Sequence, residues 1–471
     1  MNILPTGGAM VDHFALSESL SKLGQGHLLA GLDHLDPVTR DAHLARLAEV
    51  DWQELHHQLA VHTAGEVSGS RVVDPAERDR RAGDLEPLGE SAYRDGRVAV
   101  LMVAGGQGTR LGFSGPKGCY TIGHHSHKSI YQLQAEKVLS LSRRVGKAVP
   151  FLIMTSPMTD AETREFFAAH GDFQLAPGQV RMFSQGTVPS LDQQGRALLE
   201  KPGKLLENPD GHGGCFTALV KSGQLERLRA EGVEHIAYIQ VDNITVPVDD
   251  PLLIGLAVAE KTDVITKVLE KANPDEKVGH LVRVGTHDCI IEYTELTPEQ
   301  TRQKNATGEM VYRWGSPAIH CWSVAFLTRL ASAGYKLPLH RSAKPLKAWT
   351  PGPSGGSVAE VKGWKSERFI FDLIPEASVS LGLAIRREAE FAPVKNATGV
   401  DSAESAVALA SALHASWLAK AGVRLALPAG ARIEISPLYA ATERQFLAKW
   451  DNRIREITGD FYLEEERQAR G

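Results

Sequence analysis

An apolar run at residues 101–104 leads straight into GGQGTRLGFSGPKG, which holds Gly105, Gly106, Gly108 and Gly112 with two cations, Arg110 and Lys117, among them. Glycines let backbone N–H groups come close to an anion, and the cations neutralise charge that backbone dipoles leave uncovered. The pattern predicts a cradle for a triphosphate. It is not a P-loop, because no glycine followed by lysine and a hydroxyl residue closes the string. It also misses the dinucleotide spacing, since Gly106, Gly108 and Gly112 read G-x-G-x-x-x-G.

Asp242 is the second chemical group. It follows the apolar run HIAYIQV, and open α/β sheets place ligand-binding groups at the carboxyl ends of their strands. A hard Mg2+ ion takes carboxylate, phosphate and water oxygens, so one aspartate plus nucleotide phosphates is a normal site. A turn carboxylate beside Asn243 is the alternative use of the same residue. In HHSHKS, His124, His125 and His127 sit at i, i+1 and i+3 in a polar loop without a matching carboxylate or cysteine, which argues against a transition-metal site.

The elements that must position these groups alternate. RVAVLMVAGG reads as a buried strand, KSIYQLQAEKVLSLSRRVG as a helix, AVPFLIMTS as a strand and DAETREFFAAH as a helix; QLERLRAEG then leads through a glycine into the strand ending at Asp242. This predicts an α/β domain with a doubly wound, mixed sheet over residues 96–385. Residues 1–95 read as a helical N-terminal region, in which Asp36 caps and Pro37 opens a helix carrying Leu44, Leu47, Leu55 and Leu59. The polar segment SRVVDPAERDRRAGDLEPLGESAYRDG separates that helix from the first strand. Residues 386–471, with ESAVALASALHASWLAKAG, RIEISPL and a final charged helical pattern, read as a small C-terminal region. TPGPSGGS at 350–357 reads as a surface loop.

With 471 residues, 42% of them hydrophobic, the chain is long enough to bury a large core without staples. Its 52 Lys+Arg against 57 Asp+Glu give a formal charge of −5, so no bulk field draws it to a nucleic acid polymer or an anionic membrane. Phosphate binding must come from a local site. No apolar stretch is long enough to span a bilayer, and the first twenty residues lack a basic segment followed by an apolar run, so the expected location is cytoplasmic. Cys119, Cys215, Cys289 and Cys321 lie far apart with no C-x-x-C pair, as expected for reduced thiols.

AGGQGTRLG followed by PKG resembles the nucleotide-binding loop of the eukaryotic-type UDP-sugar pyrophosphorylases. GQGHLL, FSQGTVP, NPDGHGG, QVDN, NPDEKVGHLVR, EYTEL, SERFIFD and FAPVKNA resemble further stretches of that family, in the same order, from about residue 24 to 397. The resemblance is nearest to the branch that makes UDP-N-acetylglucosamine. It implies a Rossmann-like nucleotidyltransferase domain that joins UTP to a sugar 1-phosphate, expected to be N-acetylglucosamine 1-phosphate, with release of pyrophosphate. By the same resemblance Arg110 and Lys117 meet the triphosphate, and Lys365 and Lys395 approach the phosphates from the far side of the cleft. Gln185 reads uracil with backbone help from Gly106 and Gly213, while Gly279 and Glu292 lie near the sugar; residue types alone leave Glu292 open as an outward-facing strand residue.

The sequence departs from that branch in two places. His212 stands where its N-G-G string has asparagine, a feature shared with UDP-glucose and broad-specificity enzymes. GSPAIH aligns with a string that holds the N-acetyl sugar, so Ser316 and Ile319 stand where two asparagines would be. Glucose 1-phosphate, or several sugar phosphates, is therefore an alternative substrate. A catalytically silent nucleotide-sugar sensor on the same fold is an alternative of another class.

Overall fold

The computed structural model describes residues 13–56, 66–350 and 356–465. The start of the chain, the end of the helical stretch expected up to residue 60 and most of the loop at 350–357 lie outside these residues.

The strand Val98–Val103 is buried at every position, so VAVLMV is covered on both faces, the burial that parallel strands require. Phe151–Thr155 and Val180–Ser184 follow it in parallel on one side. The intervening helices, Ile130–Val145 and Asp160–Ala169, supply the crossovers. Ser129 caps the first of these by accepting from Gln132 N, and left-handed Gly146 ends it. On the other side of Val98–Val103 lies His235–Gln240, also parallel, with His235 opposite Val98 and Gln240 opposite Val103. The chain thus leaves the same strand in both directions. Such a switch point opens a crevice at the carboxyl ends of the two strands.

Beyond His235–Gln240 the sheet turns mixed. His320–Ser323 runs antiparallel between it and Val264–Glu270, and Ser380–Ala384 is parallel to Val264–Glu270. Trp314–Ser316, Gly279–Val284 and Val67–Ser68 carry the sheet onward. The expected doubly wound, mixed α/β sheet is what the chain forms.

The region before residue 96 contributes more than helices. Val72–Val73 pairs with Ser380–Ala384 and Val67–Ser68 with Gly279–Val284, so both enter the large sheet. The polar segment read as a separator is a helix, Pro75–Asp95, capped by Asp74 and stopped by left-handed Gly96. Its charged residues mask a narrow buried face of Leu85, Gly89, Ala92 and Tyr93. Gly89 and Gly255 let this helix lie directly on Pro251–Glu260: a Cβ on Gly89 would meet Pro251 O at 1.9 Å, and one on Gly255 would meet Leu85 O at 1.9 Å. Near the start, the helix capped by Asp36 ends at Glu49. A second begins at Trp52, where Asp51 accepts from Glu54 N at 3.0 Å.

The chain forms two compact units that interleave along the sequence, unlike the linear division into three regions. Of the described residues, the smaller gathers 13–56, 186–214, 337–350 and 356–369; the larger holds the others. The smaller unit has its own five-stranded sheet, led by the long hairpin His340–Thr350 and Ser357–Glu367, over a core that includes Leu20, Leu28, Trp52 and Leu191. Pairing between segments some 150 residues apart leaves no local periodicity to read. Within the larger unit, the C-terminal segment packs Ala403–Lys420 on the parallel pair Ile433–Ile435 and Phe461–Leu463. Among the described residues the final charged pattern forms the short helix Glu443–Lys449, followed by short strands.

Candidate active site

Past Val103 the glycine-rich segment folds back on itself. Gly108 N donates to Gly115 O at 2.9 Å and Lys117 N to Gly106 O at 3.0 Å, so the two ends of the segment close a loop over the strand terminus. Lys117 opens a short turn at Lys117–Cys119, and its ammonium reaches Asp242 Oδ2 at 3.4 Å. Both side chains are mostly buried, 18% and 16% exposed. Asp242 comes from the neighbouring strand: Val241 N donates to Val103 O at 3.1 Å, which puts the carboxylate beside the loop. Arg110 is exposed on the same loop and makes no ion pair among the described residues.

Gln185 enters from the third parallel strand, its own N–H bonded to Thr155 O at 3.0 Å. Its amide lies against the first glycine, where a Cβ on Gly105 would stand 3.3 Å from Gln185 Cδ. Gly105, Gly106, Gly108, Lys117, Gln185 and Asp242 are therefore one site. Lys395 is held nearby through its neighbour: Val394 N donates to Asp242 O at 2.9 Å, and the exposed Lys395 ammonium lies 5.9 Å over the Phe391 ring.

That attachment depends on residues the sequence reading passed over. Asn243 Nδ2 donates to Glu390 O at 2.7 Å and its Oδ1 accepts from Ala392 N at 2.9 Å, which stitches the FAPVKNA segment to the loop after Asp242. Glu390 and Asp250 both pair with the buried Lys267 ammonium, whose proton they hold more tightly than water would. On the other side, Lys137 Nζ donates to Ile244 O at 2.7 Å and Val246 O at 2.9 Å, and burial lowers its pKa to about 7. QVDN was the available signal for Asn243. Lys137 and Lys267 look like ordinary helix and strand lysines, and nothing in their sequence neighbourhood distinguishes them.

The three residues assigned to the sugar also meet. Gly279 and Ser316 are direct partners across neighbouring strands, and a Cβ on Gly279 would stand 3.0 Å from Glu292 Oε1. Glu292 is not simply outward-facing: its carboxylate caps the turn Tyr293–Glu295 while Glu295 Oε2 accepts from Glu292 N. Ser316 Oγ accepts from Ala318 N at 3.2 Å. Ile319 is 2% exposed and packs in the main core.

Gly213 and Lys365 belong to the smaller unit. Gly213 N donates to Arg368 O at 2.8 Å, and a Cβ there would meet the Arg368 and Phe369 backbone at 2.6 Å. Beside it His212 stacks on Phe369 with ring centroids 5.3 Å apart, and burial lowers its pKa to about 4, so the ring is neutral. Lys365 pairs with Glu367 at 2.7 Å on the long hairpin.

The donor set suits a magnesium ion. Asp242 offers one partly buried carboxylate, and among the described residues no group of three ligating side chains surrounds it. An ion that binds mainly phosphate and water oxygens needs no more than that from the protein.

A glycine-rich loop closing one strand of a parallel pair, with a carboxylate closing the other and lysines around both, is the layout of a nucleotidyltransferase. A model of the UTP–glucose-1-phosphate uridylyltransferase family matches residues 53–411. UDP-N-acetylglucosamine diphosphorylase 2 of Arabidopsis thaliana is 36% identical over 90% of this chain and 89% of its own length. The UDP-N-acetylglucosamine pyrophosphorylase of Saccharomyces cerevisiae is 33% identical over 86% of this chain and 88% of its own. Among solved structures, the uridine diphosphate N-acetylglucosamine pyrophosphorylase of Trypanosoma brucei in complex with inhibitor superposes with a TM-score of 0.77 and 28% identity, covering 98% of this chain and 100% of that one. The chain belongs to the UTP–glucose-1-phosphate uridylyltransferase family.

Proposed function

We propose that this chain is a uridylyltransferase that joins UTP to a sugar 1-phosphate, with N-acetylglucosamine 1-phosphate as the main acceptor. The reading is carried by one observation, the loop of Gly105 to Lys117 closed against Asp242 with Gln185 on its first glycine. Family membership and the names of the relatives support the sugar. An oxygen of the sugar phosphate forms a bond to the α-phosphorus of UTP as the bond to the β-phosphate oxygen breaks, and pyrophosphate leaves. Both reactants are anions and no covalent intermediate is needed, so the task of the protein is alignment and charge neutralisation.

In this reading the glycine loop offers backbone N–H groups to the triphosphate and Arg110 and Lys117 neutralise it. Lys395 meets the phosphates as well, and Lys365 keeps the phosphate role that the family resemblance implies. Gln185 donates to and accepts from the uracil edge, and Gly106 lets the base approach the backbone. Gly279, Glu292 and Ser316 receive the sugar, Glu292 accepting from its hydroxyls. Asp242 would hold Mg2+, which when bound screens phosphate charge as a Lewis acid. Lys117 Nζ is already 3.4 Å from Asp242 Oδ2, so it is placed to transfer its contact from the carboxylate to a phosphate as nucleotide arrives. We place the enzyme in the cytoplasm, a reading supported by four cysteines that lie far apart in the sequence with no C-x-x-C pair.

The second reading, glucose 1-phosphate used nearly as well, is favoured by the GSPAIH segment. Ile319 is committed to the core and the Ser316 hydroxyl is partly occupied by Ala318 N, which leaves little there to hold an acetamido group. Incubating the protein with UTP, magnesium and a panel of sugar 1-phosphates, and identifying the nucleotide sugar by mass spectrometry, tests both. Formation of a UDP-sugar with stoichiometric pyrophosphate is the expected result. Nucleotide binding without pyrophosphate release would favour the silent sensor.

A further inference from the structure

The histidine-rich loop that follows the glycine-rich segment is given no role in the proposed reaction, and folding gives it what its sequence neighbourhood lacks. His124 and His125 come together with Asp460, so that one ligating atom from each lies within 4.8 Å of the others. The carboxylate is supplied from the turn before Phe461–Leu463, more than 300 residues away in the chain. We infer that His124, His125 and Asp460 form a binding site for a borderline divalent transition-metal ion of the Zn2+ type, which clamps the loop to the C-terminal strand pair.

Two imidazoles and a carboxylate are the ligands such an ion takes, whereas Mg2+ and Ca2+ prefer all-oxygen sites. The outer contacts suit it as well. His125 Nε2 lies 3.0 Å from Arg432 O; as a donated N–H this fixes the tautomer and leaves the Nδ1 lone pair for a metal. Asp460 Oδ1 accepts from Arg432 N at 2.8 Å, so the same backbone residue orients both ligands. Glu434 anchors the loop further, accepting from His125 N at 2.7 Å and from Ser126 N at 3.2 Å. Tetrahedral zinc holds its ligand atoms about 3.4 Å apart, from bond lengths of about 2.0–2.1 Å. The ligand atoms all lie within 4.8 Å of one another, so no pair must close by more than roughly 1.4 Å. His124 and Asp460 are exposed, which leaves room for a closure of that size, and a water would complete the coordination.

The site is independent of the proposed nucleotide chemistry, and it is tested apart from it. The full-length, untagged protein is stripped of metal and titrated with Zn2+ in excess Mg2+, which occupies oxygen-type sites, while thermal unfolding is followed in parallel. One equivalent of Zn2+ should bind in the micromolar range or tighter and raise the melting temperature. His124→Ala and Asp460→Asn should each weaken binding by at least the 10- to 100-fold typical of losing even an outer partner of a metal ligand (about that scale). Asp242→Asn should leave it unchanged. Because His124 is exposed, its variant keeps the fold, and the melting temperature without metal checks this. Absence of any site tighter than millimolar, or unchanged affinity in both variants, would overturn the inference.

Discussion

Replacing Lys117 by alanine removes the cation that stands between the glycine loop and Asp242. At the observed 3.4 Å the pair attracts by about 332/(20 × 3.4), or roughly 5 kcal/mol, at an effective dielectric of about 20. That is an upper bound, because both groups give up hydration to reach their partly buried positions. In the proposed reaction the same side chain would meet charge that grows on the departing pyrophosphate. Loss of one preorganised donor of this kind costs about 2.7–4 kcal/mol, a 10²- to 10³-fold fall in kcat, which lies within that bound. Asp242→Asn should cost a comparable factor. Each single change leaves the other partner unbalanced, so the double variant should lose less than the product of the two, with a coupling of about 1–3 kcal/mol. Lys117→Arg keeps the charge and should recover part of the rate. The assay is pyrophosphate release at saturating UTP and sugar phosphate, with thermal melting as a check on folding. A folded Lys117→Ala enzyme within threefold of wild type would refute the reasoning. So would a double variant whose losses add within about 0.5 kcal/mol.

Removing divalent cations with a chelator should abolish turnover and added Mg2+ should restore it, with UTP strongly preferred over ATP; undiminished activity after chelation would remove Asp242 from the reaction. The ratio of kcat/KM for N-acetylglucosamine 1-phosphate over glucose 1-phosphate should fall below about 10⁴, the discrimination reached when the wrong ligand strands buried polar groups, because Ser316 and Ile319 offer few such groups. Lys137 has a folded pKa of about 7 against an ordinary 10.5, so between these pH values the unfolded chain binds the extra proton. Stability from this group should then rise with pH across that window, by up to about 1.4 kcal/mol per unit, and be flat below it; the difference in unfolding free energy between wild type and Lys137→Met, measured by urea titration from pH 6 to 10, reads it directly. Gly89→Ala puts a methyl 1.9 Å from Pro251 O and should cost about 1–3 kcal/mol or more by forcing the two helices apart, seen as a lower urea midpoint with an unchanged slope.

Much of the site was legible in the chain because its signals are local. The glycine loop must follow a buried strand for its N–H groups to converge on an anion, and RVAVLMVAGGQGTR states strand and loop together. Asp242 was readable for the same reason, as the residue after an apolar run. Boundaries were harder where polar residues conceal a narrow apolar face. The helix Pro75–Asp95 buries only a few of its residues and passes for a linker, although Asp74, Pro75 and Gly96 mark both of its ends. Glu292 shows a further limit, because the carboxylate assigned to the sugar also caps a turn, a role set by the backbone path rather than by the residue type.

The sequence by itself determined the strand-and-helix alternation, the phosphate loop with its two cations, the strand-end aspartate and the family. Hydrophobic period, glycine placement and capping residues act over a few positions, and they survive in the linear order. Tertiary structure decided which distant groups share a site. It set Lys117 against Asp242, laid Gln185 on Gly105, paired Gly279 with Ser316 and stitched the Lys395 segment to the loop beyond Asp242 through Asn243. It also brought Asp460 beside His124 and His125, a carboxylate that HHSHKS lacks in its sequence neighbourhood. The physical reason is the same in each case: ion pairs, ligand sets and strand registers depend on distances in space, and those are fixed only when the core packs.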